Sequence, residues 1–256
     1  MTKLNFIGTG SAFVSYKKNW QSNVLVSRNG KALMIDLGGD ARHALEDVGL
    51  KARDIDSVFL THFHADHIGS LEWLAFCTYF DPTAKRPKLY VRDDKFAQWV
   101  WGSIRNGVQS IEHTGTSLES FFELCITDES FEWEGLNFEV VQTMHTMNYN
   151  SFNPSYGLRF DLNGKAAFFS GDTQFAPSQY MKILEADDII FHDCETSPFE
   201  SGVHSYYKKL FDLPEEIKKK IWLYHYDDKP FDAVEEGFQG WIERGQMFEY
   251  QNIQIK

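Results

Sequence analysis

Cysteine is scarce in this chain of 256 residues. Cys77, Cys125 and Cys194 lie far apart, and none of them belongs to a CxxC pair. Such a set provides neither a disulfide framework nor a thiolate metal site. It is typical of a protein in a reducing compartment, so we expect a cytoplasmic location.

Long apolar runs are also lacking, since no segment approaches the ~20 residues that a membrane helix needs. The first residues, MTKLNFIGTGSAF, contain no basic segment followed by an apolar one, so we expect no signal peptide. The sequence therefore predicts no membrane partner.

Basic residues are fewer than acidic ones. The chain has 25 Lys and Arg residues against 37 Asp and Glu, which gives a formal net charge of −12. An acidic surface repels polyanions, so we do not expect a large nucleic acid as a partner. A small phosphate ester is compatible with this charge if metal ions supply local positive charge.

Hydrophobic residues are abundant, at 43% of the chain, and aromatic residues make up 16%, which is ample for a sizeable core. The length lies within the range of large one-domain α/β or layered folds. No repeat of fixed period and no Pro-, Gly- or Ser-rich linker interrupts the chain. We therefore predict a single domain over residues 1–256.

Short apolar runs bounded by turn residues predict many strands, and two Asn-Gly pairs, at 29–30 and 163–164, are typical of hairpin turns. Apolar residues at helical spacing predict four helices. The predicted strands are 3–8, 22–27, 31–38, 57–61, 88–91, 137–146, the two arms of a hairpin over 155–172, 188–194 and 221–226; the predicted helices are 40–50, 68–80, 93–104 and 214–220.

Residues 61–67 read THFHADH, which places three of the nine histidines within six positions. In an extended segment, residues two apart point to the same side, so His62 and His64 can contact one metal ion. Asp66 and His67 follow where the chain turns into the next helix and can contact a second ion. Imidazole and carboxylate ligands suit Zn²⁺, Mn²⁺ or Fe, and a set without cysteine favours catalytic sites with open positions.

Three further candidate ligands lie at the ends of predicted strands: His145, Asp172 and His225. Each taken singly could be an ordinary core or loop residue. Together they complete two metal sites, in which Asp172 would bridge both ions through its two carboxylate oxygens. The predicted sets are His62, His64 and His145 on one ion and Asp66, His67 and His225 on the other.

These segments resemble the metallo-β-lactamase superfamily of dinuclear hydrolases. The resemblance rests on FIGTGSAF near the start, MIDLG, IDSVFLTHFHADHIGSL at the centre, FFSGDT, and WLYHY late in the chain. It implies an α/β (α+β) fold, a four-layer αββα sandwich of two mixed β-sheets flanked by helices. It also implies two divalent metal ions, Zn²⁺ first and Mn²⁺ as the alternative. The superfamily holds many chemistries, so the fold does not name the substrate.

The opening FIGTGSAF and the segment GVHS (202–205) are similar to the phosphodiesterase branch that includes tRNase Z. In that branch a further histidine meets the scissile phosphate, and His204 matches it. The stretch HDCET (192–196) resembles the branch's segment in which an acidic residue orients that histidine. Asp193 takes the matching place, with Glu195 as a substitute.

The sequence differs from tRNase Z in two respects. Only residues 146–171 separate His145 from Asp172, which leaves no room for the family's long tRNA-gripping arm. The basic loop of tRNase Z corresponds to VSYKKN (14–19) in this chain. Of the residues typical of that loop, only Asn19 and the basic Lys18 are present. In its size, its lack of room for the arm and its GVHS and WLYHY segments, the chain is similar to the compact anti-Pycsar cyclic-nucleotide phosphodiesterases of phages and bacteria. This resemblance implies hydrolysis of 3′,5′-cyclic mononucleotides to counter antiviral signalling in a bacterial cell or phage-infected host, and, by analogy, a homodimer.

The mechanistic hypothesis is in-line attack by a hydroxide that bridges the two ions. Asp66 would orient this nucleophile and accept its proton, and His204 would stabilise the phosphate charge or protonate the departing oxygen. The alternatives are a tRNase Z-like endoribonuclease, a lactone or thioester hydrolase with the same seven ligands, and a non-enzymatic metal-binding scaffold. Five aromatic residues near the motifs stack on a nucleobase, belong to the core or lie at a subunit interface: Phe13, Trp20, Phe175, Phe199 and Tyr206.

Overall fold

Two mixed β-sheets of seven strands each form the centre of the molecule. The structure is a computed structural model that describes residues 1–111, 115–148 and 151–249. Its strands in chain order are β1 (Lys3–Gly8), β2 (Asn23–Arg28), β3 (Lys31–Ile35), β4 (Ser57–Phe59), β5 (Lys88–Val91), β6 (Glu123–Ile126), β7 (Ser130–Trp133), β8 (Leu136–Asn148), β9 (Ser151–Asp161), β10 (Ala166–Phe169), β11 (Ile189–Asp193), β12 (Ile221–Tyr224), β13 (Gly240–Trp241) and β14 (Gln246–Phe248).

Both sheets combine antiparallel and parallel pairs. The first has the order β14-β1-β2-β3-β4-β5-β6, and the second has the order β13-β12-β11-β10-β9-β8-β7. From β3 to β6, and from β10 to β13, neighbouring strands run parallel. Strands β3, β4 and β11 are buried along nearly their whole length, as parallel strands covered on both faces usually are.

Helices flank the two sheets. In chain order they are α1 (Ala41–Asp47), α2 (Ala65–Ile68), α3 (Leu71–Tyr79), α4 (Asp94–Val108), α5 (Leu118–Phe121), α6 (Pro177–Ala186), α7 (Tyr207–Leu210) and α8 (Glu215–Lys218), with short 3₁₀ turns at Ala52–Asp54 and Gln109–Ile111. Helices α1, α3, α4 and α5 pack with the first sheet, and α6, α7 and α8 share a hydrophobic cluster with the second. This arrangement confirms the predicted αββα fold class. No helix in the described part of the chain is long and apolar enough to cross a bilayer.

An aromatic cluster joins the two sheets. The ring of Phe6 on β1 lies 5.2 Å from that of Phe191 on β11 and 5.9 Å from that of Tyr224 on β12, measured between centroids. Phe248 on β14 packs against the same rings. These side chains are buried, so they fill the space between the sheets and hold them face to face.

Both predicted Asn-Gly hairpins are present. Asn29 and Gly30 have φ of 52° and 75°, and Asn163 and Gly164 have φ of 53° and 92°. Positive φ at both central residues is the requirement of the type I′ turn, which matches the twist of the flanking strands.

The structure differs from the predicted elements in a few places. The helix predicted over 68–80 begins at Leu71, because a separate single turn, α2, precedes it. The sequence analysis did not predict strands β6, β7, β13 and β14 or helices α5, α6 and α7. The turn between β7 and β8 is Glu134-Gly135, with φ of 50° and 72°, and glutamate is not a usual turn residue.

Candidate metal centre

The predicted ligands meet along one edge of the two sheets, because several of them directly follow strands. The segment 61–67 follows β4, Asp172 follows β10, and His225 follows β12. The carboxyl ends of parallel strands open on the same side of a sheet, which is where ligands of open α/β sheets gather. The structure thus brings together all seven residues, from positions up to 163 residues apart in the chain.

The first cluster contains His62, His64 and His145. The Nδ1 atom of His64 lies 3.1 Å from the Nε2 of His62 and 3.1 Å from the Nε2 of His145. His62 and His145 are buried, and His64 is partly exposed. These three ring nitrogens lie within 4.8 Å of one another and could hold one cation.

A bulge in β8 directs His145 toward the cluster. The pairing of β8 with β9 joins Thr143 to Ser155 and then Thr146 to Asn153, so Met144 and His145 together oppose Pro154 alone. A bulge of two residues against one bends the strand and re-aims a side chain, and Pro154 fits there because it has no N–H to donate.

The second cluster contains Asp66, His67, Asp172 and His225, all of them buried. The Oδ2 atom of Asp172 lies 3.1 Å from His67 Nε2 and 3.3 Å from His225 Nε2. It also lies 3.7 Å from His62 Nε2 in the first cluster. Asp172 therefore lies between the two clusters, and its bridging of two ions stays a prediction.

Polar groups outside the clusters hold the ligand rings. Asp36 Oδ2 lies 2.7 Å from His67 Nδ1, and Asp36 also accepts hydrogen bonds from the Thr61 amide and hydroxyl, each at 2.8 Å. The Nδ1 of His145 lies 2.9 Å from the carbonyl oxygen of Val203. Such partners fix the ring tautomer and turn the other nitrogen toward a metal.

The buried carboxylates control the second cluster electrostatically. Burial works to lower the pKa of His67, but Asp172, Asp66 and Asp36 outweigh it and hold that pKa well above its ordinary value. The pKa of His225 is also well above its ordinary value, because Asp172 chiefly outweighs the effect of burial. Without a cation, these imidazolium protons balance the carboxylates, so cation binding at this cluster would release protons.

In the first cluster the histidine pKa values are lowered. Burial lowers the pKa of His145 to about 4, and burial together with the neighbouring His67 lowers that of His62 well below its usual range. Burial also lowers the pKa of His64. These rings are neutral at pH 7, which is the form that binds metal ions.

His204 lies beside the second cluster and is paired with Asp193. Its Nδ1 is 3.0 Å from Asp193 Oδ2 and 3.8 Å from Asp172 Oδ2. Burial opposes protonation, but the charge and hydrogen bond of Asp193 prevail and raise the pKa of His204. In turn, His204 and His225 overcome burial and lower the pKa of Asp193 to about 2.

Glu195 does not join this pair. Its carboxylate accepts hydrogen bonds from the hydroxyl of Ser197 at 2.8 Å and from the amide of Ser201 at 3.1 Å. Among the described contacts, Asp193 therefore holds His204, and Glu195 holds the loop that leads to it. His192 is fully buried, with its Nδ1 2.8 Å from the Asp193 carbonyl, which is a structural position.

The residues present fit a metal-binding role. The Oδ1 of Asp172 is buried without a hydrogen-bond partner in the described structure. An unpaired buried polar atom costs roughly 1–3 kcal/mol, so a protein rarely keeps such atoms unless something else binds them. Imidazole and carboxylate donors in open sets of three and four suit divalent cations such as Zn²⁺ or Mn²⁺.

The sequence analysis missed Asp36, Thr61 and the Val203 carbonyl. Asp36 lies in the MIDLG motif as an acidic residue directly after a buried strand, which is the one signal that could have identified it. A backbone carbonyl such as that of Val203 leaves no trace in the amino-acid sequence.

Comparison with known proteins identifies one family. The family model described as "Anti-Pycsar protein Apyc1" matches residues 2–248. A protein of that name from Paenibacillus harenae is 33% identical over 230 residues, which cover 88% of this chain and 90% of that protein. Another from Bacillus phage vB_BveM-Goe7 is 31% identical over 240 residues, covering 89% of this chain and 90% of the relative.

Two solved structures are similar in fold. One is described as a new diphosphatase from the PhnP family, with a TM-score of 0.74, 21% identity and 97% of each chain covered. The other is the metallo-β-lactamase fold protein YhfI from Bacillus subtilis, with a TM-score of 0.74 and 16% identity, covering 97% of this chain and 100% of that one. The fold, the His and Asp clusters and the matching family together support a metal-dependent hydrolase.

Proposed function

The chain belongs to the anti-Pycsar Apyc1 family, and from this premise we propose that it is a dinuclear metal-dependent phosphodiesterase that hydrolyses 3′,5′-cyclic mononucleotides to linear nucleotides. The seven predicted residues are the proposed ligands, with Asp172 shared between two Zn²⁺ ions or, alternatively, two Mn²⁺ ions. The biological outcome we propose is the removal of cyclic-nucleotide antiviral signals.

The observation that carries this proposal is the His204–Asp193 pair beside Asp172. A buried carboxylate 3.0 Å from one nitrogen raises the pKa of His204, which favours the protonated ring, and it also orients that ring. An imidazolium here suits the negative charge of a phosphodiester. Lactone and thioester hydrolysis has less need of it, since those substrates carry no charge at the reacting centre.

The chain's own residues have distinct roles in the proposed reaction. Divalent cations, when bound, would supply Lewis acidity that acidifies water and neutralises the phosphodiester. Asp66 would position the attacking water and accept its proton. As the new P–O bond forms, the P–O bond to the leaving oxygen breaks, and His204 would donate its proton to that oxygen. Asp193 holds His204 in the orientation for this transfer.

The short chain between His145 and Asp172 and the acidic net charge both disfavour a large RNA substrate. In the described ranges, β8, β9 and β10 occupy most of the chain between His145 and Asp172, which leaves little length for a tRNA-gripping arm. The net charge of −12 also opposes extended contact with a phosphate backbone.

The direct test is a substrate panel with the purified protein and added Zn²⁺ or Mn²⁺. The panel contains cyclic AMP, GMP, CMP and UMP, bis-p-nitrophenyl phosphate, an acyl-homoserine lactone, S-lactoylglutathione and a precursor tRNA. We expect hydrolysis of one or more cyclic mononucleotides, abolished by chelator and by Asp172→Ala. Turnover of only the lactone or thioester, or cleavage of only the tRNA, would refute the proposal.

The remaining proposals concern composition and assembly. Elemental analysis should find two metal ions per chain, and one ion per chain would contradict the dinuclear site. A homodimer stays a prediction from the family resemblance, and sedimentation of the purified protein tests it. A cytoplasmic location stays a prediction from the cysteine content.

A further inference from the structure

A small pocket opens directly beside the His204–Asp193 pair. It has a volume of 160 Å³, and His204 and His225 form one part of its wall. Phe13 and Phe199 form another part. The pocket therefore connects the position proposed for the phosphate with two aromatic rings.

Those two rings are unusually exposed. Among the large hydrophobic side chains that the structure describes, Phe13 at 90% and Phe199 at 71% have the greatest exposed fractions. Each exposed aromatic ring forgoes the favourable burial of its apolar surface. Two such rings at the mouth of one pocket suggest that a ligand covers them.

The loop that carries Phe199 is anchored from beneath. The Glu195 carboxylate is mostly buried and accepts hydrogen bonds from Ser197 and Ser201. The hydroxyl of Ser197 also donates to the carbonyl oxygen of Phe199. The backbone of Phe199 is thus fixed although its ring is exposed, which lowers the entropic cost of binding a flat ligand.

The turn that carries Phe13 is anchored in a similar way. Its amide donates to the hydroxyl of Ser11 at 3.2 Å, and that hydroxyl donates to the carboxylate of Asp227. The amide of Ser11 donates to the carbonyl oxygen of Tyr226 at 3.2 Å. The turn is therefore tied to the segment that directly follows His225.

The charge of the pocket limits what part of a substrate can enter it. Glu195 and Asp227 are acidic, and none of the described residues that line the pocket is Lys or Arg. Apart from His204 and His225 at the end next to the metal centre, a second phosphate group would meet the Glu195 and Asp227 carboxylates with no Lys or Arg among the described lining residues. An uncharged ring with N–H or O–H donors fits, because the hydroxyls and the Asp227 carboxylate can accept its hydrogen bonds.

We propose that this pocket is the nucleoside subsite, in which Phe13 and Phe199 stack on the base of a single nucleotide whose phosphodiester lies at the metal centre. The proposal rests on the proposed function and deepens it, since it selects a nucleoside monophosphate diester and disfavours a diphosphate. The volume is below the ~300–1,000 Å³ of pockets for drug-sized ligands, so it suits one ring system.

The other three aromatic candidates lie elsewhere. Trp20 stacks on His43 and donates its indole N–H to Asp47 at 2.7 Å. Phe175 packs against the hydrophobic cluster of the second sheet, and Tyr206 makes an edge contact with Tyr207. None of the three lines the pocket.

The test compares two substrates that share the same reacting group. One is the cyclic mononucleotide that the wild type hydrolyses best, and the other is methyl riboside 3′,5′-cyclic phosphate, which lacks the base. For Phe13→Ala and Phe199→Ala we expect the kcat/KM ratio of the first to the second to fall roughly tenfold, mainly through a higher KM for the nucleotide. Phe199→Trp should keep the kcat/KM ratio of the wild type, because stacking needs an aromatic face. Phe199→Leu, which has no such face, should lower the ratio as Phe199→Ala does.

Phe80→Ala is the matched control, because Phe80 is also an exposed phenylalanine, at 64%, and does not line the pocket. Its substrate ratio should equal that of the wild type. The wild type should also prefer the cyclic mononucleotide to a diphosphate-linked dinucleotide. A preference for the diphosphate would overturn the proposal.

Failure of the inference is distinguishable from failure of the proposed function. If the wild type hydrolyses neither cyclic phosphate, the proposed function is wrong. If it hydrolyses both and the substitutions at Phe13 and Phe199 lower both activities equally, or neither, the function stands and the pocket is not the nucleoside subsite.

Discussion

Two residues of the metal centre, Asp36 and His225, have backbone φ of 64° and 66°. This left-handed region is uncommon outside glycine and costs of order 1–3 kcal/mol. The conformation at Asp36 brings its carboxylate to Thr61 and His67, and the conformation at His225 brings its ring to Asp66 and Asp172. The strained backbone at both residues therefore belongs to the construction of the site.

At Asp36 the prediction concerns metal affinity. Asp36→Asn preserves the size of the side chain, and asparagine tolerates positive φ, but the substitution removes the charge next to His67 Nδ1. We expect zinc affinity to fall roughly 10–100-fold, as for other residues that orient metal ligands. Competition with a chromophoric chelator measures it.

Asp128→Asn is the control for that substitution, because Asp128 also has positive φ, at 46°, and its exposed carboxylate pairs with Arg92 at 3.3 Å. Its zinc affinity should match the wild type. Equal affinities for all three proteins would contradict the role of Asp36.

His204 carries a separate prediction about turnover. His204→Ala removes the proposed proton donor without removing a proposed ligand, so kcat should fall at least ~100-fold while the metal content is unchanged. Steady-state kinetics and elemental analysis of the same preparation measure both. His43→Ala, at an exposed ring that stacks on Trp20, is the matched control. Loss of metal together with activity would make His204 a ligand or a structural residue.

At the scale of the elements, the loop after β3 packs backbone to backbone against the loop after β4. Leu37 donates its amide to the carbonyl of His67 at 2.7 Å and accepts from the amide of Ser70 at 3.0 Å. A Cβ atom at Gly38 would lie 2.2 Å from the carbonyl oxygen of Asp66. A side chain at this position would therefore push the ligand loop away from the other strands.

Gly38→Ala should lower both stability and metal affinity. We expect the free energy of unfolding to fall by roughly 1–3 kcal/mol, the usual cost of overpacking, and zinc to bind more weakly. Urea denaturation and chelator competition measure these effects. Gly39→Ala is the control, since its added Cβ would lie no closer than 3.4 Å to any other group. If the two alanine variants are equally stable, close packing at Gly38 is not limiting.

At the scale of the whole molecule, each sheet supplies part of the metal centre. The segment after β4 in the first sheet carries His62, His64, Asp66 and His67, and the second sheet carries the other three proposed ligands. Cations held by both sets would connect the sheets at one edge, in addition to the aromatic cluster around Phe6. Metal binding should therefore stabilise the fold as a whole.

The corresponding prediction is a change in melting temperature. Zinc at about 100 times its Kd should stabilise the folded state by about 2.7 kcal/mol, which corresponds to roughly 5–10 °C for a protein of this size. Scanning calorimetry with zinc and with chelator measures it. Asp172→Ala, which lacks the shared carboxylate, should respond far less. An unchanged melting temperature in the wild type would contradict metal binding that connects the two sheets.

Much of this molecule could be predicted from local sequence. The apolar runs at β1, β3 and β5 and the Asn-Gly turns are local signals, and the structure agrees with them. The helix over 93–104 was also predicted, although its end at Val108 was not. Strands β6 and β7 were missed because short strands with charged residues alternate too weakly to differ from loops.

The available chemistry could be inferred from the amino-acid chain alone, because imidazoles and carboxylates at the ends of strands are recognisable without coordinates. Which of these groups interact depends on the three-dimensional fold. Asp193 rather than Glu195 holds His204, Asp36 holds His67, a carbonyl from Val203 holds His145, and Phe13 and Phe199 share one pocket. These pairs are 11, 31, 58 and 186 residues apart, so their geometry arises from how the two sheets pack and which loops they bring together.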